Sequence, residues 1–400
     1  VLAVFVVQLA QAQLVPPKFG KGLNFYGADS SFHIKFGFRF QNLYNANWTV
    51  AGDELNNIQG YDQSFLIRRS RLKFNGFAFS PKVKWKLELA LTNRDISGGA
   101  TPEFRNANNV VLDAWVDWNF YKGFSVRFGQ GKLPGNVERV VSSANLQLVD
   151  RSLLNSKFNI DRDVGVQLWH KHNLGGNFYM KEKFAYTQGE GRNITEGSFG
   201  GNGYTWRVEF FPLGLFIKGK DEYTGSDIKR HERPRLMLAA TYDINDNSVR
   251  TQGRLKSFIQ DASGDYVGKR QNTAFIDAVY KHKGFSFMGE YANKTTPDGN
   301  PDVLDTNGNT LATLVTGSAI NLQAGQMLNR KVRNRTGDME IVGRYTAANF
   351  DSGNDEKQYT VGFNRFISNH QLKIQTDLTY RAIDGKDDGL MFRTQVDVHF

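Results

Sequence analysis

The 400-residue sequence has no cysteine. That excludes a disulfide scaffold and a thiolate metal site. No apolar run reaches the ~18 residues that a helix needs to cross a bilayer, which excludes a polytopic helical membrane protein. There is no P-loop, no H-E-x-x-H and no G-x-S-x-G, so the common enzymatic motifs are missing. Gly129-Gln-Gly131 is too short for a dinucleotide fingerprint. The sequence therefore gives no reason to expect an enzyme, a cofactor or a metal.

What is present points one way. Aromatic residues make up 13% of the chain, too many for a disordered one. There are 40 glycines and 31 phenylalanines, and Lys plus Arg at 50 exceeds Asp plus Glu at 40. Mean hydropathy is −0.48. A polar mean with many aromatics fits an all-β protein. Transmembrane barrels have this composition, because only alternate residues of each strand meet lipid.

The first ten residues, VLAVFVVQLA, are apolar apart from Gln8, and Ala10-Gln11-Ala12 matches a small-x-small cleavage site. This reads as a signal peptide without its first residues. The alternative is a buried first strand. The organisation expected is a partial signal peptide over 1–12, a periplasmic segment over 13–30 and a barrel over 31–400.

Period-two alternation runs through the rest. Phe32, Ile34, Phe36, Phe38 and Phe40 share one face of a strand, and His33, Lys35, Gly37, Arg39 and Gln41 share the other. The pattern predicts strands near 31–44, 64–79, 82–92, 110–120, 123–133, 162–170, 177–187, 203–212, 235–244, 272–281, 284–293, 318–328, 338–347, 357–367, 371–381 and 389–400. Sixteen is an even number, and the lengths suit tilted crossings of a bilayer. Short connections alternate with long ones, as in barrels with periplasmic turns and outer loops. Segment 213–234 breaks that parity: it should be a turn, yet it is long and charged. The chain ends as an alternating strand on Phe400, similar to the C-terminal signal of outer-membrane barrels. The fold class expected is a transmembrane antiparallel β-barrel of about 16 strands.

If the aromatic faces meet lipid, the alternate residues face a lumen. Lys35 and Arg39, then Arg69, Arg71 and Lys73, then Lys82, Lys84 and Lys86 line one wall, and Arg127 follows on strand five. Such a lumen attracts anions and repels cations. The plainer reading is that these bases pair with carboxylates such as Asp113 and Asp117 and hold the wall together. Loop 134–161 is apolar enough at Val140, Val141, Leu146, Leu148, Leu153 and Leu154 to fold inward, bringing Arg139, Arg151 and Lys157. Otherwise it lies on the outer rim.

Phe65-Leu-Ile-Arg-Arg-Ser-Arg-Leu-Lys-Phe74 with Gly76 resembles a hallmark of the phosphate-selective porin O/P family. Leu112-Asp-Ala-Trp-Val-Asp117, Val126-Arg-Phe-Gly-Gln130 with Lys132 and Pro134, Val149-Asp-Arg-Ser152, Arg162-Asp-Val-Gly-Val-Gln-Leu168, Arg207-Val-Glu-Phe210 and Gly284-Phe-Ser-Phe-Met-Gly-Glu-Tyr291 are similar to it in the same order. The resemblance implies a sixteen-stranded porin of the Gram-negative outer membrane, usually trimeric, with an inward third loop and a basic eyelet passing phosphate or related anions. Its channel residues, carried over by position, are Arg69, Arg71, Lys73, Arg127, Lys132, Arg139 and Arg151. The partners implied are outer-membrane lipid and lipopolysaccharide, small anions and two further copies of the chain.

His170 and His172 share one face of a strand near a turn, where histidines are more often solvated than ligating. Asp302, Asp305 and Asn307 look like part of a calcium loop but lack its closing Glu. A nucleic-acid surface interleaves rings with bases on one face, whereas here they sit on opposite faces. An outer-membrane barrel serving as a binding or scaffold subunit is the second functional reading.

Overall fold

The computed structural model describes residues 13–15, 18–53, 56–96, 101–195, 197–217, 220–328 and 338–400. Sixteen long strands follow one another: β1 (Phe32–Val50), β2 (Ile58–Ala78), β3 (Ser80–Ala90), β4 (Val111–Tyr121), β5 (Phe124–Lys132), β6 (Arg162–Gly175), β7 (Phe178–Thr187) and β8 (Gly203–Phe211), then β9 (Arg235–Ser248), β10 (Lys269–His282), β11 (Phe285–Thr295), β12 (Gly317–Met327), β13 (Asp338–Phe350), β14 (Glu356–Ser368), β15 (Leu372–Ile383) and β16 (Asp388–His399). Each pairs antiparallel with the next. β16 returns to β1, from Asp388 opposite Val50 to His399 opposite Arg39, and closes the barrel. Closure leaves these strands no free edge, which a bilayer requires.

The alternation sets the two surfaces. Rings pair on the outside, as in Phe36 with Phe74 at 5.1 Å and Phe38 with Phe40 at 5.7 Å. Exposed Trp118, Phe120 and Tyr121 cluster at one rim, where aromatic girdles sit in barrels. Arg39, Gln41, Arg207, Lys373 and Asp397 are buried inside.

All sixteen expected strands are present. The first outer loop is shorter than expected. The expected strands 31–44 and 64–79 put a long connection between them, yet β1 and β2 are 19 and 21 residues long and leave only 51–57. Cross-strand rings carry the ladder upward: Tyr44 meets Phe65 at 4.7 Å and Trp48 meets Tyr61 at 5.6 Å. In the N-terminal segment, Gln13–Val15 pairs with Leu23–Tyr26, which pairs with residues 33–36 of β1. The expected signal peptide (1–12) and the turn over 329–337 lie outside the described residues.

Segment 213–234 is a genuine insertion. Its described residues reach into the barrel, and the count of sixteen stands. Glu222 and Asp227 are fully buried, Lys181 of β7 bonds Glu222, and Lys281 of β10 donates to the carbonyls of Asp221 and Ser226.

Candidate functional site

The residues after β5 fold into the lumen. They form helix α1 (Val137–Val140) and helix α2 (Leu153–Phe158). Ser152 caps α2, its Oγ accepting from the Asn155 N–H at 3.2 Å. Glu138 accepts from the Ser152 N–H and hydroxyl, which ties the two helices together.

Two apolar clusters hold this loop. Leu133, Leu154, Phe158 and Ile160 pack on Phe275 and on Ala185, Ala292, Ala319 and Ala348, inward positions of four strands where a small side chain leaves room. Val137, Val141 and Leu146 pack with Phe211, Met237, Val279 and Met288, and with Phe216 of the periplasmic insertion. The insertion and the loop touch directly, Gly225 donating to the Asn145 carbonyl at 2.9 Å. Polar ties complete the seat: Asp377 accepts from the Val149 N–H, Lys373 donates to the Leu146 carbonyl, and Glu340 accepts from Gln147. One side of the lumen is thereby a packed core.

The other side is open. Between the loop and the wall of β2 to β6 lies a cavity of about 1170 Å³. Fifteen Lys or Arg and six Asp or Glu side chains line it. Cations exceed anions by more than two to one in a space walled by protein, where fields are focused.

A β-bulge shapes the β2 wall. Gln41 pairs with Arg69 and Asn42 with Ile67, so Arg68 is the extra residue. The bulge turns both Arg68 and Arg69 inward, onto Asp150 of the loop at 2.9 and 3.4 Å. Phe65 and Ile67 stay outside, 81% and 57% exposed. Arg71 pairs with Asp95 at 2.6 Å and Glu88 at 3.1 Å. Lys86 bridges Glu88 and Asp113, and Arg162 also holds Asp113, at 2.7 Å. Arg127 lies between the rings of Trp115 and Trp169, 3.9 and 4.2 Å from their centroids, and bonds Asp117.

The loop's own bases are tied to its backbone. Lys132 Nζ donates to the carbonyls of Arg139, Val140 and Val141, at the C-terminal end of α1. Arg151 donates to the carbonyls of Glu138 and Val141. Arg139 pairs with Asp161. The Nε atoms of Arg68, Arg69, Arg127 and Arg139 are buried without an acceptor among the described residues.

Of the eleven bases proposed from the sequence, Arg69, Arg71, Lys86, Arg127, Lys132, Arg139 and Arg151 line this cavity. The other four do not. Arg39 is 1% exposed and spans from Asp397 of β16 to Ser143 of the loop. Lys73 sits lower on the wall, 3.8 Å from Glu88. Lys35 lies opposite Asn24, beside the N-terminal strand. Lys84 is exposed near the β2–β3 turn.

Sequence reasoning missed Arg68, which the bulge turns inward, and Arg162 at the base of β6. It also missed Arg192, Arg250 and Arg254, brought in by outer loops. The bulge shows in the sequence as a break in the alternation after Ile67, and a loop that folds back leaves no such trace.

The comparisons agree with this architecture. The model of the phosphate-selective porin O and P family matches residues 34–213. An uncharacterized protein of Aquifex aeolicus (strain VF5) is 28% identical, over 49% of this chain and 52% of that protein, so the match spans about half the length of that relative. Among solved structures, an anion-selective porin from Comamonas acidovorans is 11% identical and superposes with a TM-score of 0.54, over 92% of this chain and 99% of that one. The outer-membrane protein OmpT of Vibrio cholerae, in its trimer form, is 11% identical with a TM-score of 0.51, over 92% and 99%. At these identities the likeness is one of fold. The segment matched by the phosphate-selective porin O and P model runs from β1 to the end of β8 and contains both the bulged arginine strand and the inward loop.

Proposed function

We propose that the chain is a passive channel for small anions, phosphate or a chemically similar oxyanion among them. The observation that carries this reading is the excess of Lys and Arg over Asp and Glu around the cavity. Arg68, Arg69 and Arg71 follow along one strand beside Arg151 and Arg139 of the loop. An anion passing them exchanges one shallow site for the next. Arg offers a planar fork for phosphate or carboxylate oxygens, whereas Lys acts as a point charge. The acids beside the bases keep each site moderate, and moderate sites allow release as well as entry. A homotrimer is proposed as well, on the likeness to the Vibrio cholerae barrel described as a trimer.

Planar-bilayer recording tests the reading. A salt gradient should give a reversal potential of anionic sign, and added phosphate should reduce chloride current. Charge reversal at Arg68, Arg69 and Arg71 together should move the reversal potential towards cation preference. An open channel with unchanged selectivity in that variant would remove these residues from the path. No conductance at all would leave the scaffold reading.

A further inference from the structure

We propose that His170, His172 and Glu182 form a binding site for a first-row transition dication on the outer wall of the barrel, near its periplasmic rim. The three side chains come from β6 and β7, where His170 lies opposite Glu182 in the register. Gln167 and Trp169 on β6, and Lys181 and Lys183 on β7, face the interior. Alternation therefore turns His170, His172 and Glu182 outward together.

The distances suit a metal. The Nδ1 atoms of His170 and His172 lie 3.0 and 3.8 Å from Oε2 of Glu182. All three donor atoms fall within 4.8 Å of one another. Zinc holds nitrogen and carboxylate oxygen at about 2.0–2.2 Å in a tetrahedron, which sets donors roughly 3.3 Å apart. The separations of 3.0 and 3.8 Å bracket that value. His172 Nδ1 is buried and has no hydrogen-bond partner among the described residues, so no existing bond has to break for it to ligate. The His170 ring is stacked between Phe124, at 3.8 Å, and His172, at 4.6 Å, so the less confined His172 ring must turn to bring both lone pairs onto one ion.

Charge favours the site too. Among the described residues no Lys or Arg pairs with Glu182, so its carboxylate is left to a dication held with the two imidazoles. The other carboxylate–histidine group, Asp221, Asp227 and His231, is different. Lys229 and Lys281 already hold Asp221 there, and their ammonium groups take the place of a metal. The side chains at the rim are 22%, 30% and 45% exposed, so an ion has an entry path and its fourth position opens to water. An ion bound there clamps β6 to β7 next to their turn.

The test uses the intact barrel in detergent, stripped with a chelator and titrated with Zn²⁺ by calorimetry. Binding should saturate at one ion per chain and raise the temperature at which the barrel unfolds. H170Q/H172Q, and separately E182Q, should weaken Zn²⁺ binding by at least about tenfold. These side chains face outward, so heat-modifiable migration on gels should show the variants folded. Co²⁺ substitution should give the strong visible bands of a tetrahedral site. Absence of saturable binding, or binding that survives H170Q/H172Q, overturns the proposal, and neither outcome depends on whether the barrel conducts.

Discussion

Arg68 of β2 donates to Asp150 of the inward loop at 2.9 Å, in a contact that exists only because the bulge turns Arg68 towards the lumen. Asp150 also lies near Arg69 and Arg393, at 3.4 and 3.5 Å. It ties the loop to the β2 wall and offsets the bases around it. Two unit charges about 4 Å apart interact by as much as ~4 kcal/mol at an effective dielectric near 20. Asp150→Asn should therefore strengthen anion preference. The reversal potential in a salt gradient should move further in the anionic direction. Movement towards cations would mean that the loop, once released, closes the basic wall.

The alternation makes Arg39 a lumen base, and its surroundings make it a strut. Its guanidinium makes two bonds to Asp397 and two to Ser143, in a setting 1% and 0% exposed. Removing one member of a buried pair strands the other charge and costs about 3–5 kcal/mol. Asp397→Asn should lower the unfolding midpoint in urea accordingly. Its ion selectivity should stay as in the parent, because Arg39 does not line the cavity. A stable variant with altered selectivity would put Arg39 back in the conduction path.

Those two arginines show how far the sequence could be read. Alternation located every strand, because each half-buried strand repeats the same two-residue pattern against lipid and interior. The facing of a residue was less legible. Phe65, Ile67, Arg69, Arg71 and Lys73 are all odd-numbered, and strict period two sets greasy and basic residues on one face. Only the extra residue at Arg68 resolves that conflict. Whether an inward base meets solute or a carboxylate was not legible either. That depends on partners distant in the chain, such as Asp397 for Arg39 across 358 residues. The alanine row at 185, 292, 319 and 348 was a signal in plain view, since small inward residues on four strands mark the seat of the loop.

At the outer mouth, Tyr266 and Glu103 join two loops, the phenol donating to the carboxylate at 2.9 Å. Burial and the adjacent carboxylate push the phenol from 10.0 up to about 12. The folded form thus favours the neutral phenol. The contact's contribution is complete below the ordinary tyrosine range and is lost as pH rises from 10 towards 12. Glu103→Gln removes the acceptor charge, and Tyr266 should then ionise at lower pH. Ultraviolet difference titration against Tyr266→Phe checks this. An identical phenolate transition with and without Glu103 would show that the bond does not form.

Gly225 is where the periplasmic insertion meets the inward loop. A Cβ there would stand 2.7 Å from the Cβ of Gln147 and 2.9 Å from its backbone nitrogen. Gln147 has little freedom to yield. Its amide donates to Ser286 and Glu340, and its carbonyl oxygen accepts from Gln323. Overpacking of this kind costs about 1–3 kcal/mol. Gly225→Ala should lower the unfolding midpoint and push the loop towards the cavity, reducing single-channel conductance. Gly343→Ala is the control, because a Cβ at Gly343 meets nothing within 4 Å. If Gly225→Ala matches Gly343→Ala in both stability and conductance, the insertion does not brace the loop, and the width of the cavity is set by the loop's own seat on the wall.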